Sequence, residues 1–310
     1  MSIARFCVIF DKLDKVYFPG EKVTGRVELE LKSEKEIRGV QLKLKGKAEC
    51  KWIQSNGKFT HNYKENETYI KSKQTLIGGK RFLDKFKLPK GKHIYPFSAT
   101  LPPKAPASYS SSRGKVIYYA EAKIDIPLGF DQQERCEFVV VNPMDLNLYP
   151  DLKKSYESKK VKKFHYMCCV SSGPLSITVQ LPKTGFAKSE PIPITFEINN
   201  ASNAAVTSVE VYLKRKTACK AEGSRRKENT TLQRLRSKGV EEGQSCTWVE
   251  NFVIPSIAFP FLDCCSLIKI HHELHIKVMT AGMHTNLNLH IPVTISDVIL
   301  NGNPSTLFGQ

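Results

Sequence analysis

The chain of 310 residues has no long apolar run, no sustained helical period, few acids relative to bases and none of the usual catalytic signatures. No apolar stretch approaches the roughly 18 residues that a membrane-spanning helix requires. The N-terminal run MSIARFCVIFDKLDK is interrupted by charge at once and carries no small-residue cleavage site. It is predicted to be a first strand and not a secretory signal. A period of 3.6 never persists for three turns, which leaves strands as the repeating element. GxGxxG, GxxxxGK[ST], HExxH and GxSxG are absent, so no enzyme activity and no cofactor are expected.

Acids number 30 against 47 lysines and arginines, a formal charge of +17. Nucleic acid, anionic membrane and phosphorylated or acidic protein segments would all be attracted, and charge alone does not choose among them. Nine cysteines without a signal peptide suggest reduced thiols in a reducing compartment. The Asn-x-Ser/Thr matches at Asn66, Asn200 and Asn229 then read as chance.

What is present is a repeat. The stretch Val16 to Cys50 returns as Phe186 to Lys220, with Phe18 matching Phe186, and Ile37, Val40, Leu44 and Cys50 matching Val206, Val209, Leu213 and Cys219. Leu101-Pro102 corresponds to Ile254-Pro255, and Val116, Tyr118, Ala120, Ala122, Ile124 to Ile270, His272, Leu274, Ile276, Val278. Two copies at this spacing mean two similar domains and not a solenoid. Short strands alternate with turns such as Pro19-Gly20 and Leu88 to Gly91, the pattern of β-sandwiches. The expected architecture is all-β, two tandem immunoglobulin-like sandwiches. The expected bounds are residues 1–145, a basic linker or hinge at 146–165, a second sandwich at 166–300 and a short tail at 301–310. In Ile37 to Lys51 the apolar Val40, Leu42 and Leu44 alternate with Gln41, Lys43 and Lys45, so one sheet face is buried and the other wet and basic. Residues 58–77 read as a hairpin with mobile tips, and Ser108 to Gly114 as a flexible loop.

Candidate chemistry is sparse. His271, His272 and His275 with Cys264 and Cys265 are the best metal candidates. On a strand, residues four apart lie about 13 Å from each other at ~3.3 Å per residue, so His271 and His275 cannot share an ion. His272 falls where the first copy has Tyr118, and a semi-buried aromatic substitute is the expectation. Cys168-Cys169 and Cys264-Cys265 are expected to be structural. Cys246, near the Gly243 turn, is a candidate exposed thiol. Residues 214–238 carry ten bases against Glu222 and Glu228. Lys214, Lys216, Arg225, Arg226, Lys227, Arg234 and Arg236 form a candidate partner- or membrane-facing patch, with a solvated face as the alternative reading. Aromatics do not interleave with these bases as a stacking platform would require, so no specific nucleic acid is expected.

The run FCVIFDKLDKVYFPGEKVTGRVELEL, then IRGVQLKLKGKAECKW, resembles the start of an α-arrestin. So do Gly91-x-His93-x-Tyr95-Pro96-Phe97, Pro106-x-Ser108-Tyr109, Gly114-x-Val116-x-Tyr118 and Val140-x-Asn142-Pro143. Trp248, Ile254-Pro255 and the alternation from Ile268 to Val278 resemble the family's carboxyl-terminal domain. The resemblance implies a non-enzymatic cytoplasmic adaptor. Such an adaptor binds membrane cargo such as receptors and transporters, is recruited to plasma membrane or endosomes, and supports endocytosis, sorting and ubiquitination. It implies anion binding at Lys12, with Lys15 nearby, although Leu13 stands where the superfamily has an arginine. Many members recruit ubiquitin ligases through Pro-Pro-x-Tyr; Pro102-Pro103-Lys104-Ala105 lacks the tyrosine, so a ligase is expected only indirectly. The alternatives are a retromer-type endosomal sorting subunit and, from another class, a basic nucleic-acid-binding protein whose affinity would fall steeply with salt.

Overall fold

A computed structural model describes residues 3–78, 85–127, 129–166, 170–282 and 286–297. Contacts divide the chain into two units. The first is Met1–Asn142 with Cys219–Arg226 and Pro260–Lys269, and the second is Pro143–Ala218 with Lys227–Phe259 and Ile270–Gln310. Both are all-β sandwiches, as the alternating sequence predicts.

In chain order the first strands are β1 (Ile3–Phe10), β2 (Val16–Tyr17), β3 (Lys22–Leu31), β4 (Lys35–Ile37), β5 (Gly39–Ser55) and β6 (Thr60–Gly78). They are followed by β7 (Phe86–Leu88), β8 (Gly91–Thr100), β9 (Tyr109–Ser110), β10 (Gly114–Asp125) and β11 (Gln132–Val140). One sheet runs β1-β3-β8, the facing sheet runs β2-β11-β10-β5-β6 with β9 on β10, and β4 pairs with β7. Strand period two places Val23, Val27, Leu29 and Leu31 of β3 and Val40, Leu42 and Leu44 of β5 inside, all nearly inaccessible. Between them lies an aromatic cluster with edge-on geometry: Phe10 sits 5.3 Å from Phe138 and 6.0 Å from both Tyr17 and Phe97. Burial, seconded by the nearby carboxylates of Asp11 and Glu21, pushes the Tyr17 hydroxyl up to about 12.

The later strands are β12 (Tyr156–Tyr166), β13 (Val170–Leu181), β14 (Gly185–Ala187), β15 (Pro191–Asn200) and β16 (Val206–Ala221). Then come β17 (Ser224–Ser237), β18 (Ser245–Val253), β19 (Ile268–Thr280) and β20 (Leu287–Ser296). Their sheets run β12-β13-β15-β18 and β14-β20-β19-β16-β17. The second core gathers Phe186, Phe196, Phe252, Ile194 and Leu274, all at 0% exposure. The sequence repeat is visible in the backbone. Each copy opens on a short strand that runs parallel to the last strand of its sheet, β2 along β11 and β14 along β20.

Several local expectations change. Residues 58–77 are not a hairpin with mobile tips: from Thr60 onward they are one continuous strand, β6, which follows β5 over its whole length. Its side chains alternate polar with half-buried, so the hydrophobic period is faint although the ladder is complete. Inside the expected linker, 146–165, two 3-10 turns at Leu146–Leu148 and Pro150–Lys153 lead into β12. That strand is an edge strand whose exposed Lys159, Lys160 and Lys163 discourage pairing with another chain. The expected flexible loop at 108–114 contains β9, held to β10 through Ser110↔Lys115. Asn200 is fully buried, and its amide donates to the Ala204 and Glu241 carbonyls, so its side chain is committed to closing a loop. Cys168-Cys169 lies outside the described residues.

Candidate functional site

The bases singled out in the sequence fall into three settings. Lys12 and Lys15 follow β1 in the first unit. The Lys12 ammonium pairs with Glu21, donates to the Val16 carbonyl at 3.3 Å and lies 5.1 Å from the centre of the Tyr17 ring. Lys15 has a positive φ of 54°, and its ammonium donates to the Cys136 sulfur at 3.5 Å. It borders an open groove of about 430 Å³ with Tyr109, Val116 and Val139.

The second setting is the wet face of the β20-β19-β16-β17 strands in the second unit. Alternation along β16 sends Glu210, Tyr212, Lys214 and Lys216 to one side. Lys214 donates to His275 Nδ1 at 2.5 Å, and His275 Nε2 donates to Asn288 Oδ1 at 3.1 Å, which together select the neutral ring. Burial, helped by the Lys214 and His290 charges, lowers the His275 pKa. His275 stacks on its cross-strand partner His290 at 4.4 Å. His290 reaches Glu273 at 3.1 Å, and Glu273 also pairs with Lys216 at 2.5 Å. Burial alone would raise the Glu273 pKa, and these two bonds bring it below the usual range. Arg234 pairs with Glu210, which also accepts from the Tyr212 hydroxyl. Lys214, Lys216 and Arg234 are therefore committed to neighbours on the sheet.

The third setting is the outer edge of β17, the last strand of its sheet. Arg226 is tied to the Gln54 side-chain oxygen. Arg225, Lys227 and Arg236 are exposed, and among the described residues none of them makes an ion pair. Of the proposed patch, these three are the cations left for a partner.

Other candidates resolve plainly. His272 takes a hydrogen bond from Arg215 Nε at 3.3 Å and packs edge-on to Phe259 at 5.1 Å. Burial, with the Arg215 charge behind it, pushes it down to about 3, so it is a neutral ring in a semi-buried aromatic position. Cys265 is buried and Cys264 exposed, in a turn before β19 and not on a strand. Cys246 is half-buried on β18 and packs against the second core, so it is not a freely exposed thiol.

Sequence reasoning missed the end of the β5–β6 hairpin. Ile53 is 66% exposed and Phe59 79% exposed there. The signal was faint, two apolar residues among polar ones, because only the strand register shows that neither has a core to enter.

Comparison with known proteins places this geometry. The family model for the arrestin (or S-antigen) N-terminal domain matches residues 6–147, and that for the C-terminal domain matches residues 171–300. The chain belongs to the α-arrestin family. Arrestin domain-containing protein 17 of Caenorhabditis elegans is 26% identical over 312 aligned residues, covering 96% of this chain and 71% of that protein. Arrestin domain-containing protein 1 of Rattus norvegicus is 26% identical over 93% of this chain and 63% of its own length. Arrestin domain-containing protein 4 of Mus musculus is 27% identical over 95% of this chain and 72% of its own length. The α-arrestin chain thus spans about two thirds of the length of these relatives.

Proposed function

We propose that this α-arrestin is a non-enzymatic adaptor that holds the tails of membrane cargo, receptors or transporters, or trafficking partners, and supports their endocytosis, sorting and ubiquitination. The observation that carries the reading is the β17 edge. A strand at the end of a sheet offers unpaired backbone N–H and C=O groups, and here Arg225, Lys227 and Arg236 border it. An extended acidic or phosphorylated segment adding along this edge would gain main-chain hydrogen bonds and charge complementarity together. The protein works in the cytoplasm beside the plasma membrane or endosomes.

The test is affinity purification with mass spectrometry from cells, comparing the native chain with the triple variant Arg225→Glu, Lys227→Glu, Arg236→Glu. Recovery of receptors, transporters or ligase components that is lost in the variant supports the reading. Unchanged recovery of the same proteins moves the contact away from β17. Recovery of ribonucleoproteins alone overturns the adaptor function.

A further inference from the structure

The β5–β6 hairpin ends in a projecting ribbon. β10 accompanies β5 only as far as Cys50, which faces Gly114, while β6 continues to Thr60 opposite Ser55. Trp52 to Ser55 therefore extend beyond the sheet by about 13 Å at ~3.3 Å per residue. The ribbon is stiff. Its turn is closed by Asn56 N–H donating to the Phe59 carbonyl at 2.9 Å, with Gly57 in the left-handed region at φ 72°.

Its two faces differ. On one, Trp52 stacks on Tyr63 at 5.3 Å and His61 packs edge-on to Tyr63 at 4.2 Å. Glu222 braces that side through His61 Nε2 at 2.9 Å and the Lys64 N–H at 3.1 Å, and Glu65 accepts from the Glu222 N–H at 2.8 Å. The other face holds Ile53 opposite Asn62 and Lys51 opposite Lys64, and Lys58 and Phe59 occupy the tip. Like charges directly across a strand pair oppose folding, yet Lys51 stands opposite Lys64 on this side of the ribbon; the pairs Lys45↔Lys71 and Lys43↔Lys73 lie further from the tip, where Lys45 is bonded to Glu121 at 3.3 Å. The nearest acid on the same face, Glu49, is already bonded to Lys47 at 2.7 Å and lies 3.7 Å from Lys115.

We infer that this ribbon is a membrane anchor. Ile53 and Phe59 enter the headgroup–acyl boundary of an anionic bilayer, while Lys51, Lys58 and Lys64 lie against its phosphates. An apolar tip with a basic collar matches the two terms of interfacial binding, apolar burial and attraction to anionic lipid. A soluble polyanion would satisfy the lysines and leave both apolar side chains in water, so the charge complementarity and the exposed tip together favour a lipid surface. The anchor deepens the adaptor reading by supplying its membrane contact. It rests on that reading only for the place where the protein works.

The test uses the purified full chain with vesicles of phosphatidylcholine, alone or with phosphatidylserine, in a sedimentation assay. The native chain is expected to pellet with the anionic vesicles and not with the neutral ones. Ile53→Ser with Phe59→Ser is expected to weaken binding about tenfold or more, at an unchanged thermal midpoint because both side chains are exposed. In a Phe59→Trp variant the new indole is expected to shift its emission to the blue on vesicles and to be quenched by brominated acyl chains. No binding to the anionic vesicles, binding unaffected by the serine pair, an unshifted emission from the Phe59→Trp variant, or equal binding to neutral vesicles would each overturn the anchor. No cargo is present, so failure here leaves the adaptor reading intact, and failure to recover cargo from cells leaves the vesicle result intact.

Discussion

Gly46→Ala tests whether the first unit depends on close packing at one point of its larger sheet. A Cβ at Gly46 would lie 2.4 Å from Cδ1 and Cε1 of Tyr118 and 2.8 Å from Cγ2 of Ile70. Tyr118 cannot withdraw freely. It is 1% exposed, its ring sits 5.8 Å from Phe138, and its hydroxyl donates to the Pro106 carbonyl at 2.8 Å. Overpacking of this kind costs about 1–3 kcal/mol, and leaving a buried hydroxyl unpaired adds about 1–3 kcal/mol. The lower entropy of the unfolded alanine chain returns about 0.4–1 kcal/mol. The expected net loss is about 1–6 kcal/mol. It is measured by urea unfolding in a Trp248→Phe background, where Trp52 reports on the first unit alone. Repeating the substitution with Tyr118→Val should shrink the penalty by more than half, because the ring that the methyl meets is gone. A loss below about 0.5 kcal/mol, or the same loss in both backgrounds, would refute the reasoning.

Other perturbations read different contacts. The folded pKa of His272, about 3, lies below its unfolded value, so on acidification the unfolded chain takes up a proton that the folded one refuses. The His272 contribution is complete above about pH 6.5 and is lost as pH falls toward 3. Between about pH 7 and 5 the second unit should lose about 2 kcal/mol, and urea midpoints of His272→Phe should show a flatter pH dependence. Phe186→Ala removes a side chain at 0% exposure and should cost about 3–5 kcal/mol by urea unfolding followed through Trp248. Arg234→Glu should lower the urea midpoint clearly more than Arg236→Glu, since it sets a second carboxylate against the nearly buried Glu210, whereas the Arg236 side chain faces solvent; equal effects would refute the assigned pairing.

Much of the architecture was legible because strand alternation is a local property. Val40, Leu42 and Leu44 alternate with polar residues and enter the core as alternation requires, and the repeat of this pattern announced two sandwiches. β6 was not legible, because an edge strand whose inner face carries Tyr63, Glu65, Glu67 and Tyr69 lacks a clean apolar period. β12 was hidden in a similar way: its lysines read as a solvated linker until pairing with β13 supplied the order.

The sequence by itself determined the all-β class, the duplication, the family and the excess of positive charge, all of which follow from residue type and spacing along the chain. Only the tertiary structure decided which charges are available. Lys12, Lys214, Lys216 and Arg234 look like Arg225, Lys227 and Arg236 in one dimension. The first four meet Glu21, His275, Glu273 and Glu210 across strands or turns, while the last three face solvent. The exposed Ile53 and Phe59 were settled in the same way, because burial depends on what packs opposite a residue and not on the residue itself.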